Sequence, residues 1–523
     1  MHIDRRQFII GGTTAIAGAG ALWSVGVGTQ MAPSFVAPLP VPRLVDLTMG
    51  GDVFDLVIKE GRTRIVPWAE TGTYGYSGSL LGPVVRVKSG QSVTARISNA
   101  LPMESSVHWH GLFVPSDVDG PFNPIAAGQA WSPTLKINQP AATTWFHPHP
   151  HGDTARQTYM GLAGLMYVED GSAEQFNLPR EYGIDDLPVI LQDRNFGKDG
   201  QLIYDRSPMA MMHGSRGANV VVNGALRPVS RPPAGLVRLR LLDGANARNF
   251  KLAFSDDRLF HVVANDAGWL AEPVPLREIE LTPGERYEIL VDLSDGKPVD
   301  LVTWPDHNGR FGDGLTDRAK EFIARLRERR EAVLRFEPQA APNRTKLSVP
   351  SRLVNPGLAD PARSVRKRSF TLDSMMMANM PMMRGSGNTA VAGHGGHAMP
   401  QSGGMSAVAS GMRMGINGQS YDMNRVDAEV ALGSKEIWEI RSVEMAHPFH
   451  IHGATFRTLS KNGKTTPAHE AGAKDTVLVE QRAELLVSFL HPSTKQKPFV
   501  FHCHILEHEE LGMMGTYLAS SAA

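Results

Sequence analysis

The stretch FHCHILEHEELGMMG, residues 501 to 515, holds the only cysteine of the chain, set between two histidines. A single cysteine in 523 residues excludes an internal disulfide framework, so Cys503 is a buried apolar filler, a reactive thiol or a metal ligand. Three further segments carry clustered histidines: HWHG (108–111), TTWFHPHPHGD (143–153) and HPFHIHG (447–453). Side chains on a strand alternate between faces, so His108 and His110 point the same way, as do His147 and His149, His450 and His452, and His502 and His504. A lone histidine is usually a hydrogen-bonded core or surface residue, but four His-x-His pairs reverse that expectation. Imidazole is the common neutral nitrogen ligand for copper and zinc, and eight rings suffice for three metal ions.

The same alternation turns Cys503 toward the opposite face of its strand, where a second site is expected. There His447, Cys503 and His508 supply two imidazoles and a thiolate, and Met513, five residues after His508, adds a weak axial thioether. That is the ligand set of a blue-copper electron-transfer site, and zinc would not need it. Electrons accepted at the thiolate would reach His502 or His504 through neighbouring peptide links, a path on the order of 10 Å by strand dimensions.

The elements that must hold these residues repeat along the chain. Segments 76–102, 222–254 and 416–453 share an outline of Gly-containing turn, short apolar segment, second turn and alternating strand. The first copy leads into HWHG and the third into HPFHIHG, while the middle copy reads RNFKLAF (248–254) without histidine, which assigns the chemistry to the first and third domains, with the eight rings at their seam. Val237, Leu239 and Leu241 alternating with Arg238 and Arg240 predict a half-buried strand, and 52 glycines with 36 prolines supply turns for β-sandwiches. LTDRAKEFIARLRERREAVLRF (315–336) predicts a solvated surface helix. Lys+Arg and Asp+Glu both number 53, which leaves no electrostatic footprint for nucleic acid. Arg5 and Arg6 before a Gly/Ala-rich run to Gly28 read as a twin-arginine export signal, and MAPSFVAPLPVP (31–42) as an exposed leader.

In order and relative position, HWHG, HPHPHG, HPFHIHG and HCHILEHEELGMM resemble the four copper motifs of the multicopper oxidases. The resemblance runs from about residue 45 to the end and implies an all-β protein of three cupredoxin-like Greek-key β-sandwich domains. These would be 45–172, 173–345 without copper ligands, and 346–523 with a linker and a methionine-rich insertion at 375–415, after a signal and leader at 1–44. By the same resemblance four coppers bind per chain. His447, Cys503, His508 and Met513 would take the type 1 copper, and His108 with His450 the type 2 copper. His110, His147, His149, His452, His502 and His504 would take the type 3 pair, and His151 has no ligand role in the pattern.

Four electrons reduce dioxygen to two waters and consume four protons, which calls for acids near the cluster. Asp119 and Glu509 match acidic positions that serve proton delivery in similar cuprous oxidases. Eleven of the 23 methionines lie between 375 and 423, and thioethers favour Cu(I). This segment resembles the substrate-capturing insertion of periplasmic cuprous oxidases, with Met375, Met376, Met377, Met380, Met382, Met383 and Met445 as candidate Cu(I) ligands. Those oxidases usually carry an acidic residue four before the first type 1 histidine, where this chain has Val443, with Glu444 next to it. The expected function is a periplasmic, monomeric cuprous oxidase using dioxygen in copper detoxification, without stable membrane insertion after export. A laccase-like oxidase of phenols is the alternative, and a copper-free cupredoxin-fold structural protein, like the related division proteins, a third reading.

Overall fold

The computed structural model describes residues 35–306, 330–353, 366–373 and 413–521. Arg5, Arg6 and the methionines at 375, 376, 377, 380, 382 and 383 lie outside them. The described chain is all-β, with six sheets and short helices. No helix among the described residues is long and apolar enough to cross a membrane.

Between Leu44 and Glu169 the strands form a four-stranded and a five-stranded sheet. Val53–Thr63 shows how they pack, since Phe54, Leu56 and Ile58 are buried while Val53 and Asp55 are exposed, and the buried set joins Val85, Val93, Ile97 and Trp109 in one core. Between Asp186 and Phe336 a seven-stranded and a five-stranded sheet enclose a second core of Val237, Leu239, Leu241 and Phe254. Between Lys367 and Ser520 a six-stranded and a five-stranded sheet enclose a third, built on Trp438, Phe449, Phe501 and Tyr517.

Three sequence expectations need correcting. Leu236–Asp243 is buried along its whole length rather than half-buried. Val237, Leu239 and Leu241 face the second core as the alternation predicts, but Arg238 and Arg240 are buried on the other face, where Arg238 pairs with Glu288 and Arg240 with Asp186 (2.8 Å), both of the same sheet, and with Glu169 (3.2 Å) of the first sheet pair. The predicted helix over 315–336 ends as a strand, Glu331–Phe336, antiparallel to Val299–Thr303. Ladder pairing and burial of Val333, Leu334 and Phe336 override the helical charge pattern there; residues 307–329 lie outside the described chain. The expected exposed leader is tied down where it is described. The Leu39 amide donates to the Val229 carbonyl (2.8 Å), Leu39 enters the second core, and Phe35 lies under the Arg335 guanidinium.

Candidate metal centre

Two neighbouring strands of the third sheet pair sort the candidate ligands onto two faces. His447–Ile451 runs antiparallel to Phe499–Cys503, with Phe449 opposite Cys503 and His450 opposite His502. His447, Phe449, Phe501 and Cys503 therefore share the face toward the third core, and His450 and His502 the face toward the first sheet pair. From the first pair, His108 and His147 meet in a single antiparallel bridge, and the Trp145 amide donates to the His110 carbonyl (3.2 Å). The His-x-His pairs are thus less strand-like than expected. His452 and His504 fall just past strand ends, and His149, between Pro148 and Pro150, makes no ladder because each proline removes a donor. Within each pair the rings stay on one side regardless, with centroids 4.8 to 6.1 Å apart.

All eight rings are buried and fall into sets whose ligating atoms lie within 4.8 Å of one another: His110, His147 and His504; His149, His452 and His502; and His108 with His450 beside His110. Hydrogen bonds fix which nitrogen each ring presents. His108 Nδ1 donates to the Asp119 carbonyl (3.1 Å), His147 Nδ1 to the Pro148 carbonyl (2.9 Å), and His450 Nδ1 to the Asp475 carbonyl (2.9 Å). His452 Nδ1 donates to Asp119 Oδ2 (2.8 Å) and His502 Nδ1 to the Cys503 carbonyl (2.9 Å), while His110 uses Nε2 toward Asp475 Oδ1 (3.1 Å). The opposite nitrogens of His108, His110, His147 and His450, Nε2 of His149, and both nitrogens of His504 are buried without a hydrogen-bond partner among the described residues. Burial, reinforced by neighbouring imidazoles, holds His110, His147, His149, His450, His452 and His504 well below the usual histidine range, and burial takes His502 to about 3. Neutral lone pairs converging in a buried space with no other partner fit metal ions, since leaving them unpaired is otherwise costly.

Behind the second face, His447 Nδ1 lies 3.3 Å from Cys503 Sγ, His508 Nδ1 lies 3.6 Å from it, and the two nitrogens are 3.2 Å apart. Donors about 2.0–2.3 Å from a shared ion in trigonal arrangement stand roughly 3.5 Å apart, so the triangle fits a metal. The Ile505 amide donates to Cys503 Sγ (3.4 Å), and His508 Nε2 donates to the Met212 carbonyl (2.9 Å). Met513 is buried beside them; its amide donates to the His508 carbonyl (2.9 Å) and its carbonyl accepts from the Cys503 amide (3.1 Å). Burial pushes the Cys503 thiol up and His447 down to about 3, so ion binding here releases the thiol proton.

The two acids expected near the cluster are both in contact with it. Asp119 touches His108 and His452, one ring from each half of the molecule. Its turn needs Gly120 at φ +117°, where a Cβ would lie 2.0 Å from the Val107 carbonyl oxygen. Glu509 Oε1 lies 3.5 Å from His149 Nδ1 and Oε2 3.3 Å from His502 Nδ1, and burial beside Glu510 pushes its carboxyl well above the usual range. His151 stands apart from the cluster, exposed and stacked on Tyr421 (5.1 Å). Met445 is buried in the third core, whereas Val443 and Glu444 are exposed.

Sequence reasoning missed the support from the middle sheets. Arg286 grips Asp475 with two nitrogens (2.7 Å each), and Asp475 with Thr476 contacts both His110 and His450, whose rings stack at 3.7 Å. Gly284 lies so close that a Cβ would stand 3.0 Å from His110 and His504. Nothing in the spacing of TPGERYEI (282–289) or AKDTVL (473–478) signals this, because the pairing spans 189 residues.

Comparison with known proteins agrees with this geometry. The multicopper oxidase family profile matches residues 58–173, and a second profile of the same description matches 396–523. Multicopper oxidase mco of Staphylococcus epidermidis is 33% identical over 88% of this chain and 87% of its own. Cell division protein FtsP of Dickeya dadantii is 34% identical over 100% of both. The laccase-like multicopper oxidase CueO from the lignin-degrading bacterium Ochrobactrum sp. superposes with a TM-score of 0.79 at 43% identity, over 92% of this chain and 100% of that one.

Proposed function

Because the chain belongs to the multicopper oxidase family, we propose that it couples one-electron oxidation of Cu(I) to four-electron reduction of dioxygen to water, in copper detoxification. His447, Cys503, His508 and Met513 would hold a type 1 copper, His108 and His450 a type 2 copper, and His110, His147, His149, His452, His502 and His504 a type 3 pair. Bound copper would supply one-electron acceptance at the thiolate and dioxygen reduction at the imidazole cluster. The chain supplies the link between them, since the Cys503 carbonyl takes the Nδ1–H of His502 as well as continuing into His504. The proposal extends to twin-arginine export to the periplasm, a monomer, and domain divisions at 45, 173 and 346.

Glu509 and Asp119 would deliver protons. Glu509 lies between His149 (3.5 Å) and His502 (3.3 Å), and burial raises its carboxyl well above the usual range, the direction a general acid requires. Glu509→Gln keeps the shape and removes the titratable proton, so turnover should fall by about a hundredfold with colour and copper content unchanged. Equal loss of copper and rate would make Glu509 structural instead.

One observation carries the choice of substrate: His508 is buried and its Nε2–H is taken by the Met212 carbonyl, so that imidazole edge offers no free donor to a phenol hydroxyl. The laccase-like reading draws support from the Ochrobactrum protein, described with oxidase activity towards lignin model compounds. The relatives named cell division protein FtsP support the reading as a structural protein, against which stand the complete donor set and its unpartnered nitrogens. Steady-state oxidation of Cu(I) and of dimethoxyphenol, with and without added Cu(II), separates the readings. The full chain should oxidise Cu(I) more efficiently, and deleting residues 378–412 should slow Cu(I) oxidation while leaving phenol oxidation equal or faster. Cu(I) oxidation unaffected by the deletion, at low substrate, would favour the laccase-like reading.

A further inference from the structure

The short helix Pro208–His213 belongs to the middle part of the chain, where no copper motif lies, yet it packs on Leu506–Glu510. Its sequence, SPMAMMHG from Ser207, begins with a good stop-and-start signal: Pro208 at the first position, and the Ser207 hydroxyl accepting the Ala210 amide (3.2 Å). Ala210 and Met211 are buried, and Met211 joins the third core with Met445, Cys503, Ile505 and Met513. Met209, Met212 and His213, spaced i, i+3 and i+4, form the other face. Met209 is 65% exposed and Met212 half-buried.

The helix is held firmly against the thiolate site. Gly214 closes it at φ +82°, where a Cβ would lie 2.2 Å from Ala247 Cβ and 2.7 Å from Ile505 Cγ2. Arg216 pairs with Asp306 (2.7 Å) and donates to the Gly214 carbonyl (3.3 Å). The Met212 carbonyl, as above, accepts the His508 Nε2–H at 2.9 Å. Leucine would serve packing on the outer face equally well; two thioethers there, one on exposed Met209 and one on Met212, whose backbone carbonyl accepts from His508, are soft donors suited to a monovalent copper ion.

We infer that this helix docks the substrate, with Met209 and Met212 as thioether ligands to Cu(I) and the Met212 carbonyl as the bridge to His508. The inference rests on the cuprous-oxidase reading. Each docked Cu(I) loses one electron and leaves as Cu(II); the electron crosses the Met212–His508 contact, and four such losses balance one dioxygen and four protons becoming two waters.

The test is the double variant Met209→Leu, Met212→Leu in the full chain, which keeps volume, helix and the bridging carbonyl. The ratio of kcat/KM for Cu(I) to that for dimethoxyphenol should fall about tenfold, chiefly through KM for Cu(I). Crystals soaked in Ag(I), a redox-inert substitute for Cu(I), should show anomalous density between the two sulfurs in the parent and none in the variant. An unchanged ratio, or a parent crystal without silver at this pair, overturns the docking site while a Cu(I)-oxidising parent keeps the cuprous-oxidase reading. A parent that oxidises phenols and not Cu(I) overturns both.

Discussion

Cys503→Ser should yield a colourless protein whose turnover falls by about a thousandfold or more, while the eight-histidine cluster still takes up metal. The parent, by contrast, should be intensely blue and carry about four coppers. The expectation follows from the two faces of one strand. Cys503 Sγ closes a triangle with His447 Nδ1 (3.3 Å) and His508 Nδ1 (3.6 Å), and a serine oxygen is harder, shorter and not a thiolate. His502 and His504 lie on the other face, and the backbone that carries them is pinned independently, by the Cys503 amide on the Met513 carbonyl (3.1 Å) and the His504 amide on the Pro448 carbonyl (2.6 Å). A serine hydroxyl can also accept the Ile505 amide that now reaches Sγ, so the stability cost should stay near about 1–2 kcal/mol. Visible absorption, metal analysis and oxygen uptake on both proteins check this. A zinc-loaded or colourless parent, or a serine variant with full oxidase activity, would remove the thiolate from the electron path.

What the sequence made legible was local periodicity. His-x-His spacing and the Cys503 alternation require only that side chains on extended backbone change sides, and the rings gather on common sides even where prolines spoil the ladder around His149. The strand alternation of Val237, Leu239 and Leu241 was equally readable, but the burial of Arg238 and Arg240 was not. Whether a polar face meets water or another sheet is decided by partners such as Glu288 and Asp186, tens of residues away. For the same reason Arg286 behind Asp475, and Met212 on His508, carried no signal, because each is a contact between elements far apart in sequence, two sheets in the first case and two short helices in the second. Glu331–Phe336 failed in the opposite direction: its charge pattern reads as helix, and a long-range ladder with Val299–Thr303 settles it as strand.

Without metal the same cluster should make the protein acid-labile, with stability greatest near about pH 6.5. Unfolded histidine titrates near 6.5. In the folded chain burial, with neighbouring rings adding to it at most positions, holds nine of the ten candidate ligand histidines below that, His447 and His502 at about 3. Below about pH 6.5 the unfolded chain therefore binds more protons at these rings than the folded chain does, and stability falls as pH falls. Four neighbouring acids act in the other sense: burial raises Asp475, Glu507, Glu509 and Glu510, the last to about 8. They are protonated in the fold when they would be ionised in the unfolded chain, so their contribution is complete at low pH and is lost as pH rises from about 4.5 toward 8. Nine rings outweigh four carboxyls on the acid side, and well above 6.5 the carboxyls dominate. Against a total stability of about 5–15 kcal/mol, losses at this many rings should lower the unfolding midpoint of the metal-free protein steadily as pH falls below 6.5. Copper should protect it, because protons and metal compete for the same lone pairs. Urea unfolding midpoints from pH 4.5 to 8, with and without copper, measure both effects. A metal-free midpoint that stays level from pH 6.5 to 4.5 would mean that these rings already reach water, and that the dry, preformed cluster described above does not exist before the metal arrives.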